Sequence, residues 1–124
     1  HVAKDNIPLA NLMSTCDLVV HHGGSGSTMT ATAYGLPQLA IPQMCDQFRH
    51  SARIEAAGCG RQLINVRPSV EEIESSINEL LSDEKYRRRA HELRRENLAQ
   101  ITPNQMVPYV EAIANRFAAQ RRVA

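Results

Sequence analysis

The chain has 124 residues and a formal net charge of +1, so nothing at whole-chain level favours a nucleic-acid or polyanion partner. Apolar residues make up 43% of it, an ordinary share for a soluble globular fold, and no stretch approaches the roughly 20 continuous apolar residues of a membrane span. The length suits one domain or part of one, large enough to bury a core without disulfides or metals.

The opening His1-Val2-Ala3-Lys4-Asp5 has no apolar h-region and no initiator Met, which reads as a piece of something longer. Pro8 to Met13 predicts a short helix with Pro near its first turn. Asp17 to His21 is a short run rich in β-branched residues without polar alternation, as in a parallel strand buried on both faces. His22-Gly23-Gly24-Ser25-Gly26-Ser27-Thr28 is a glycine-rich turn, and a helix follows over Thr28 to Tyr34, stopped by Gly35 and Pro37. Gln38 to Ile41 predicts a second apolar strand closed by Pro42. A helix over Gln47 to Ala57 ends at Gly58, and Arg61 to Val66 predicts a third strand.

Ser69-Val70-Glu71-Glu72 is a capping box opening a helix to Leu81, with Val70, Ile73, Ile77, Leu80 and Leu81 on one apolar face. Glu84 to Ala99 forms a charged helix. Its Arg87-Arg88-Arg89 and Arg94-Arg95 are interleaved with Glu84, Glu92 and Glu96 at helical spacing, which predicts a salt-bridged, solvated face. A last helix is expected to begin near Pro108 and to bury Val110, Ile113, Ala114 and Phe117. The three cysteines, Cys16, Cys45 and Cys59, lack CxxC spacing and read as reduced thiols used as small core residues, in keeping with a cytoplasmic protein. The order β-α-β-α-β followed by helices predicts an α/β fold with a small parallel sheet and a helical C-terminal part. Three strands make a narrow sheet, which implies further strands upstream.

Strand, glycine turn, helix is a phosphate-binding geometry. Free N–H groups at the helix start point outward, and the helix dipole adds positive potential there. Gly23, Gly24 and Gly26 allow positive φ and close approach of an anion, while Ser25, Ser27 and Thr28 offer hydroxyls. A Rossmann GxGxxG would need Gly at position 29, where Met29 stands. A P-loop would need Lys before the Ser/Thr, and the only lysines are Lys4 and Lys85. Of the two histidines, His22 in the turn is the one expected to face a phosphate, with His21 packed. A second constellation, Pro42-Gln43-Met44-Cys45-Asp46-Gln47, follows the next strand at the same sheet edge. Asp46 and Gln47 suit sugar hydroxyls, although Asp46 as a helix N-cap is a strong alternative.

These stretches in this order resemble the C-terminal donor-binding domain of GT-B-fold inverting glycosyltransferases, the bacterial natural-product and macrolide type related to UDP-glycosyltransferases. The resemblance rests on Asn6-Ile7-Pro8-Leu9 with Leu12-Met13, Cys16 to Thr28, Ala33 to Gln38, Pro42, Asp46-Gln47 and the weaker Gly58-Cys59-Gly60. It implies a Rossmann-like domain over residues 1–124 that lacks the N-terminal acceptor domain and the first strands of the donor domain. It implies transfer of a sugar from a nucleoside-diphosphate sugar to an acceptor hydroxyl with inversion, in antibiotic or other natural-product biosynthesis.

The resemblance further places His22, Gly23, Gly24, Ser25, Gly26, Ser27 and Thr28 at the diphosphate, Asp46 and Gln47 at the donor sugar, and Asn6, Ile7, Pro8 and Leu9 beside the nucleoside. The family's Trp before that Pro is missing here, which favours a dTDP donor over UDP. The base and the acceptor pocket are expected in the N-terminal domain, so no catalytic residue is assigned in this chain. No metal or cofactor is expected, and the partners are the nucleotide sugar and a small-molecule acceptor. A GT-B-fold nucleotide-sugar epimerase and a stand-alone nucleotide-binding module are the alternatives.

Overall fold

The computed structural model describes residues 7–65 and 67–123, with side chains to residue 118. In chain order the elements are α1 (Leu9–Met13), β1 (Val19–His21), α2 (Ser25–Tyr34), β2 (Gln38–Ala40), α3 (Gln47–Ala56), β3 (Gly60–Gln62), α4 (Val70–Ser82), α5 (Glu84–Leu98) and α6 (Pro103–Val123). The strands form one parallel sheet in the order β1-β2-β3, with Val20 opposite Leu39 and Leu39 opposite Arg61. Each strand adds on the same side of its predecessor. Right-handed crossovers therefore put α2 and α3 on one face.

Adjacent residues of the central strand point to opposite faces, and the packing follows from that. Ala40 meets Ile54, Cys59 and Ala90 beneath α3 and α5. Leu39 meets Leu80 and Tyr86 on the other face, with Ile73 and Ile77 of α4 against them. Leu39 and Leu80 are fully buried, each contributing about 1.5–3 kcal/mol. A third cluster, Met13 with Ala31 and Leu36, docks α1 on α2. The α/β parallel architecture expected from the sequence is the one observed.

Several boundaries differ. All three strands are shorter than expected, and Val66 lies outside the described residues. β1 is not buried on both faces: it is an edge strand of this sheet, and Val20 is 47% exposed. On α4, Ile73, Ile77 and Leu80 face the sheet. Val70 and Leu81 stand at the ends of the helix and are exposed.

The largest correction concerns α6. It starts at Pro103, because Thr102 and Gln105 form a reciprocal cap: Thr102 Oγ1 accepts from the Gln105 N–H (3.3 Å) and Gln105 Oε1 accepts from the Thr102 N–H (2.9 Å). Pro103 occupies the first helical position, where no N–H is needed, and Pro108 falls inside the helix. Val110, Ile113, Ala114 and Phe117 are exposed rather than buried, because the described residues of α6 pack closely on no other element. The charged face of α5 is as expected. Arg89 pairs with Glu92 (3.1 Å) and Glu96 (3.0 Å), and its Nε donates to Ala57 O. Of the cysteines, all free, only Cys59 is a core residue; Cys16 and Cys45 are exposed.

Candidate functional site

The carboxyl ends of β1 and β2 carry the two constellations, each running into a helix. At the first, the helix begins three residues earlier than the glycine pattern implies, so Ser25, Gly26 and Ser27 form its opening turn. Gly24 occupies the N-cap position in an extended conformation, and among the described residues no side chain caps the helix. The first intrahelical bond runs from Thr28 N–H to Gly24 O. The N–H groups of Ser25, Gly26 and Ser27 are thus the free donors of this terminus.

Of the three glycines only Gly23 uses a left-handed conformation, at φ 81°. A Cβ there would collide with Ser51 Oγ and approach Gln47 O at 2.9 Å, so the turn needs glycine to lie against α3. A Cβ on Gly24 would stand 2.5 Å from His22 Nε2, which places the exposed His22 imidazole over the start of α2. Gly26 faces open space.

Thr28 differs from the expectation. Its N–H is bonded to Gly24 O, and its hydroxyl oxygen is buried without a partner among the described residues. It therefore offers no donor to the open face of the turn, because the fourth residue of a helix already lies inside the backbone ladder.

His21 is half-buried. Its Nδ1 accepts from Gly23 N–H (2.9 Å), which leaves the ring proton on Nε2 to donate to Gln38 Oε1 (3.0 Å). Gln38 Nε2 donates to Thr32 Oγ1 (3.2 Å), whose hydroxyl donates to Thr28 O (2.9 Å). Burial holds the His21 pKa below its ordinary value; the Gln38 bond opposes this and the neighbouring His22 adds to it. His21 is thus a neutral strut tying β1, the turn, β2 and α2 together. Gln38, 1% exposed, and Ser51, fully buried under Gly23, went unrecognised in the sequence. A Gln opening an otherwise apolar strand was the available signal for the first.

At the second constellation, Gln47 Oε1 accepts from the N–H groups of Gln43 (2.8 Å) and Met44 (3.1 Å), folding the loop onto the start of α3. Cys45 adopts φ 52°, a strained conformation for a non-glycine residue. Asp46 stands at the N-cap position with helical dihedrals and makes no capping bond. Its carboxylate is 58% exposed, 3.9 Å from His50 Nε2. Of the residues expected near a nucleoside, Ile7, Pro8 and Leu9 are exposed at the start of α1, and Asn6 lies outside the described residues. The larger surface depressions, on the α3–α5 side, beside the α4–α5 turn and at the α5–α6 junction, contain none of these residues, so size does not locate the site.

The family described as Erythromycin biosynthesis protein CIII-like, C-terminal domain, matches residues 2–113. The chain belongs to this EryCIII-like C-terminal domain family.

Among its relatives, L-demethylnoviosyl transferase of Streptomyces niveus is 35% identical over 98% of this chain and 30% of the relative. Tylactone mycaminosyltransferase of Streptomyces fradiae is 37% identical over 90% of this chain and 25% of the relative. The structure of spinosyn rhamnosyltransferase SpnG complexed with thymidine diphosphate superposes with a TM-score of 0.80 at 36% identity, covering 85% of this chain and 29% of that one. The EryCIII-like chain thus spans about three tenths or less of the length of these relatives. No helix of its described residues is long and apolar enough to cross a membrane.

Proposed function

We propose that the chain is the donor-binding domain of an inverting glycosyltransferase, taking a dTDP-sugar or UDP-sugar and serving natural-product biosynthesis in the cytoplasm. One observation carries the reading: an uncapped α2 terminus beneath His22, in a fold similar to a rhamnosyltransferase solved with thymidine diphosphate. In the proposed reaction an acceptor hydroxyl attacks the anomeric carbon, the bond from that carbon to the diphosphate oxygen breaks, and the nucleoside diphosphate leaves. The free N–H groups of Ser25, Gly26 and Ser27 and the imidazole of His22 meet the charge that develops on the diphosphate, a role in which no metal is required. Gly23 and Gly24 keep that surface open, and Thr28 supports it through the backbone ladder.

Asp46 accepts from the sugar hydroxyls, and Gln47, whose oxygen holds the loop, has its amide N–H groups left for the sugar. Ile7, Pro8 and Leu9, with Asn6, border the nucleoside. In this reading the base and the acceptor pocket lie in a separate N-terminal domain, so the chain alone is expected to transfer no sugar. Reduced thiols fit the cytoplasm.

Calorimetry on the chain with dTDP and with thymidine tests the reading. His22→Ala should cost about 1.5–3 kcal/mol for dTDP and little for thymidine, because a hydrogen bond to a charged group is lost. Equal losses for the two ligands would reject the diphosphate role.

A further inference from the structure

Gln38 opens the central strand and is 1% exposed, in a strand that is otherwise apolar. A buried carboxamide is unfavourable unless its oxygen and its N–H groups find partners, so Leu or Met would be the ordinary occupant of such a place. Val19 stands opposite Gln38 in the sheet register, which makes His21, two residues further on, its diagonal neighbour on the same face.

The protons of this cluster run one way. The backbone N–H of Gly23 can only donate, so His21 Nδ1 accepts it (2.9 Å). A neutral imidazole then carries its proton on Nε2, which needs an acceptor, and Gln38 Oε1 stands 3.0 Å away. With that oxygen committed, the Gln38 amide nitrogen donates to Thr32 Oγ1 (3.2 Å), and the Thr32 hydroxyl donates on to Thr28 O (2.9 Å). Turning the carboxamide over would set its N–H groups against a ring nitrogen that already bears a proton. Burial keeps His21 neutral, and the adjacent His22 pushes the same way, while β2 presents the neutral Gln38 and α2 the neutral Thr32.

We propose that Gln38 is a positioning residue for the donor diphosphate, acting through the tautomer of His21. It touches no ligand. It holds His21 in the one neutral form that can accept the Gly23 N–H, and that bond closes across His22, which lies between its two ends. The backbone from which the His22 ring reaches over Gly24 and the uncapped start of α2 is thereby held in place. An apolar residue at position 38 would fill the space and leave the tautomer unset. A carboxylate would accept the same bond but favour the doubly protonated ring, whose Nδ1–H opposes the Gly23 N–H. Only a neutral acceptor suits both ends. The inference rests on the donor-binding reading above.

Nitrogen NMR of the imidazoles, together with calorimetry on dTDP and thymidine, tests this in the parent and two variants from about pH 6 to about pH 9. In the parent above neutral pH, His21 Nδ1 should show the shift of a bare nitrogen and Nε2 that of a protonated one. Gln38→Met keeps the volume and removes the acceptor. His21 should lose its single tautomer and dTDP affinity should fall about tenfold, the worth of one hydrogen bond, with thymidine affinity unmoved. In Gln38→Glu, His21 should stay protonated to higher pH than in the parent. Its dTDP affinity, taken as a ratio to the parent at each pH to cancel the titration of the ligand, should recover as His21 loses that proton. A parent that binds no dTDP rejects the donor reading and this proposal with it. Where the parent binds, the proposal fails if its His21 carries the proton on Nδ1, or if Gln38→Met keeps dTDP affinity or loses thymidine affinity equally. It fails also if the Gln38→Glu ratio does not follow His21 protonation, as expected of a residue that only fills the core. If Gln38→Met does not fold, the parent tautomer and the Gln38→Glu profile decide.

Discussion

At the start of α4, Ser69 Oγ accepts from the Glu72 N–H (3.1 Å) and the Glu72 carboxylate accepts from the Ser69 N–H (2.7 Å). At the start of α2, Gly24 offers no side chain, and no side chain among the described residues takes its place. Each helix follows a strand of the same small sheet, and two serines stand in the first turn of α2, so capping residues were at hand. A cap is worth about 1 kcal/mol of stability. The terminus that forgoes it sits at the carboxyl end of β1 with His22 over it. The difference separates a helix start at which side chains answer two N–H groups from one at which, among the described residues, no side chain answers any.

The most damaging way to break the comparison is to reshape the turn itself. Gly23→Ala forces a side chain into φ 81° and against Ser51 Oγ and Gln47 O. It should cost about 2 kcal/mol or more in urea unfolding, because strain and collision act together. It should also abolish dTDP binding in calorimetry. A variant as stable as the parent would mean that the turn is not held against α3.

Moving the caps tests the contrast directly. Gly24→Asp places a carboxylate at the free terminus and displaces the exposed His22 ring. Affinity for dTDP should fall at least about tenfold, since the new charge takes the anion's place, while thermal stability should hold or rise. Ser69→Ala should do the reverse, lowering stability by about 1 kcal/mol and leaving dTDP binding unchanged. If the two substitutions act alike on binding, the distinction drawn between the two termini is wrong.

How far the sequence announces this depends on the range of the interaction. The capping box of α4 and the Gly35 stop of α2 involve residues within four positions of one another, and both are plain in the sequence. The start of α2 lies earlier than its pattern suggests, because Ser25, Gly26 and Ser27 are poor helix-interior residues that the first turn nevertheless tolerates. Pro108 looked like a helix start, whereas the shorter-range pair Thr102 and Gln105 sets it. The chain from His21 through Gln38 to Thr32 spans three elements, and only the register of β1 against β2 brings it together. The candidate site was legible as a motif and a place in the topology. The orientation of Thr28 and the use of Gln47 Oε1 were not, since both depend on how α3 packs beside the turn.

A smaller effect should appear with pH. His21 has a folded pKa lowered by burial, so below about pH 6.5 the unfolded chain takes up a proton that the folded chain resists. Stability from this group is therefore complete above that pH and lost as pH falls toward the lowered folded value. Urea midpoints measured between pH 7.5 and 5.5 should decline, and His21→Gln should flatten the decline. An unchanged slope in that variant would remove His21 as the cause.

The finest distinction concerns Asp46, where the predicted effect is selective rather than large. An N-cap role would require its carboxylate to accept a backbone N–H, and it makes no such bond. The start of α3 is instead organised by Gln47 Oε1, which holds the N–H groups of Gln43 and Met44. Asp46→Asn keeps the shape and a good capping residue, so the melting temperature should not move on either account. A negative carboxylate is poorly suited to a diphosphate and well suited to neutral hydroxyls. Affinity for free dTDP should therefore stay level, or rise slightly as a negative charge is removed. Affinity for a dTDP-hexose should fall by about 1 kcal/mol, because the Asn amide replaces one acceptor oxygen with a donor. Parallel calorimetric titrations of dTDP and dTDP-glucose make the comparison on one sample. A loss shared equally by both ligands would move Asp46 to the nucleotide, and no loss with either would leave its exposed carboxylate without a part in donor binding.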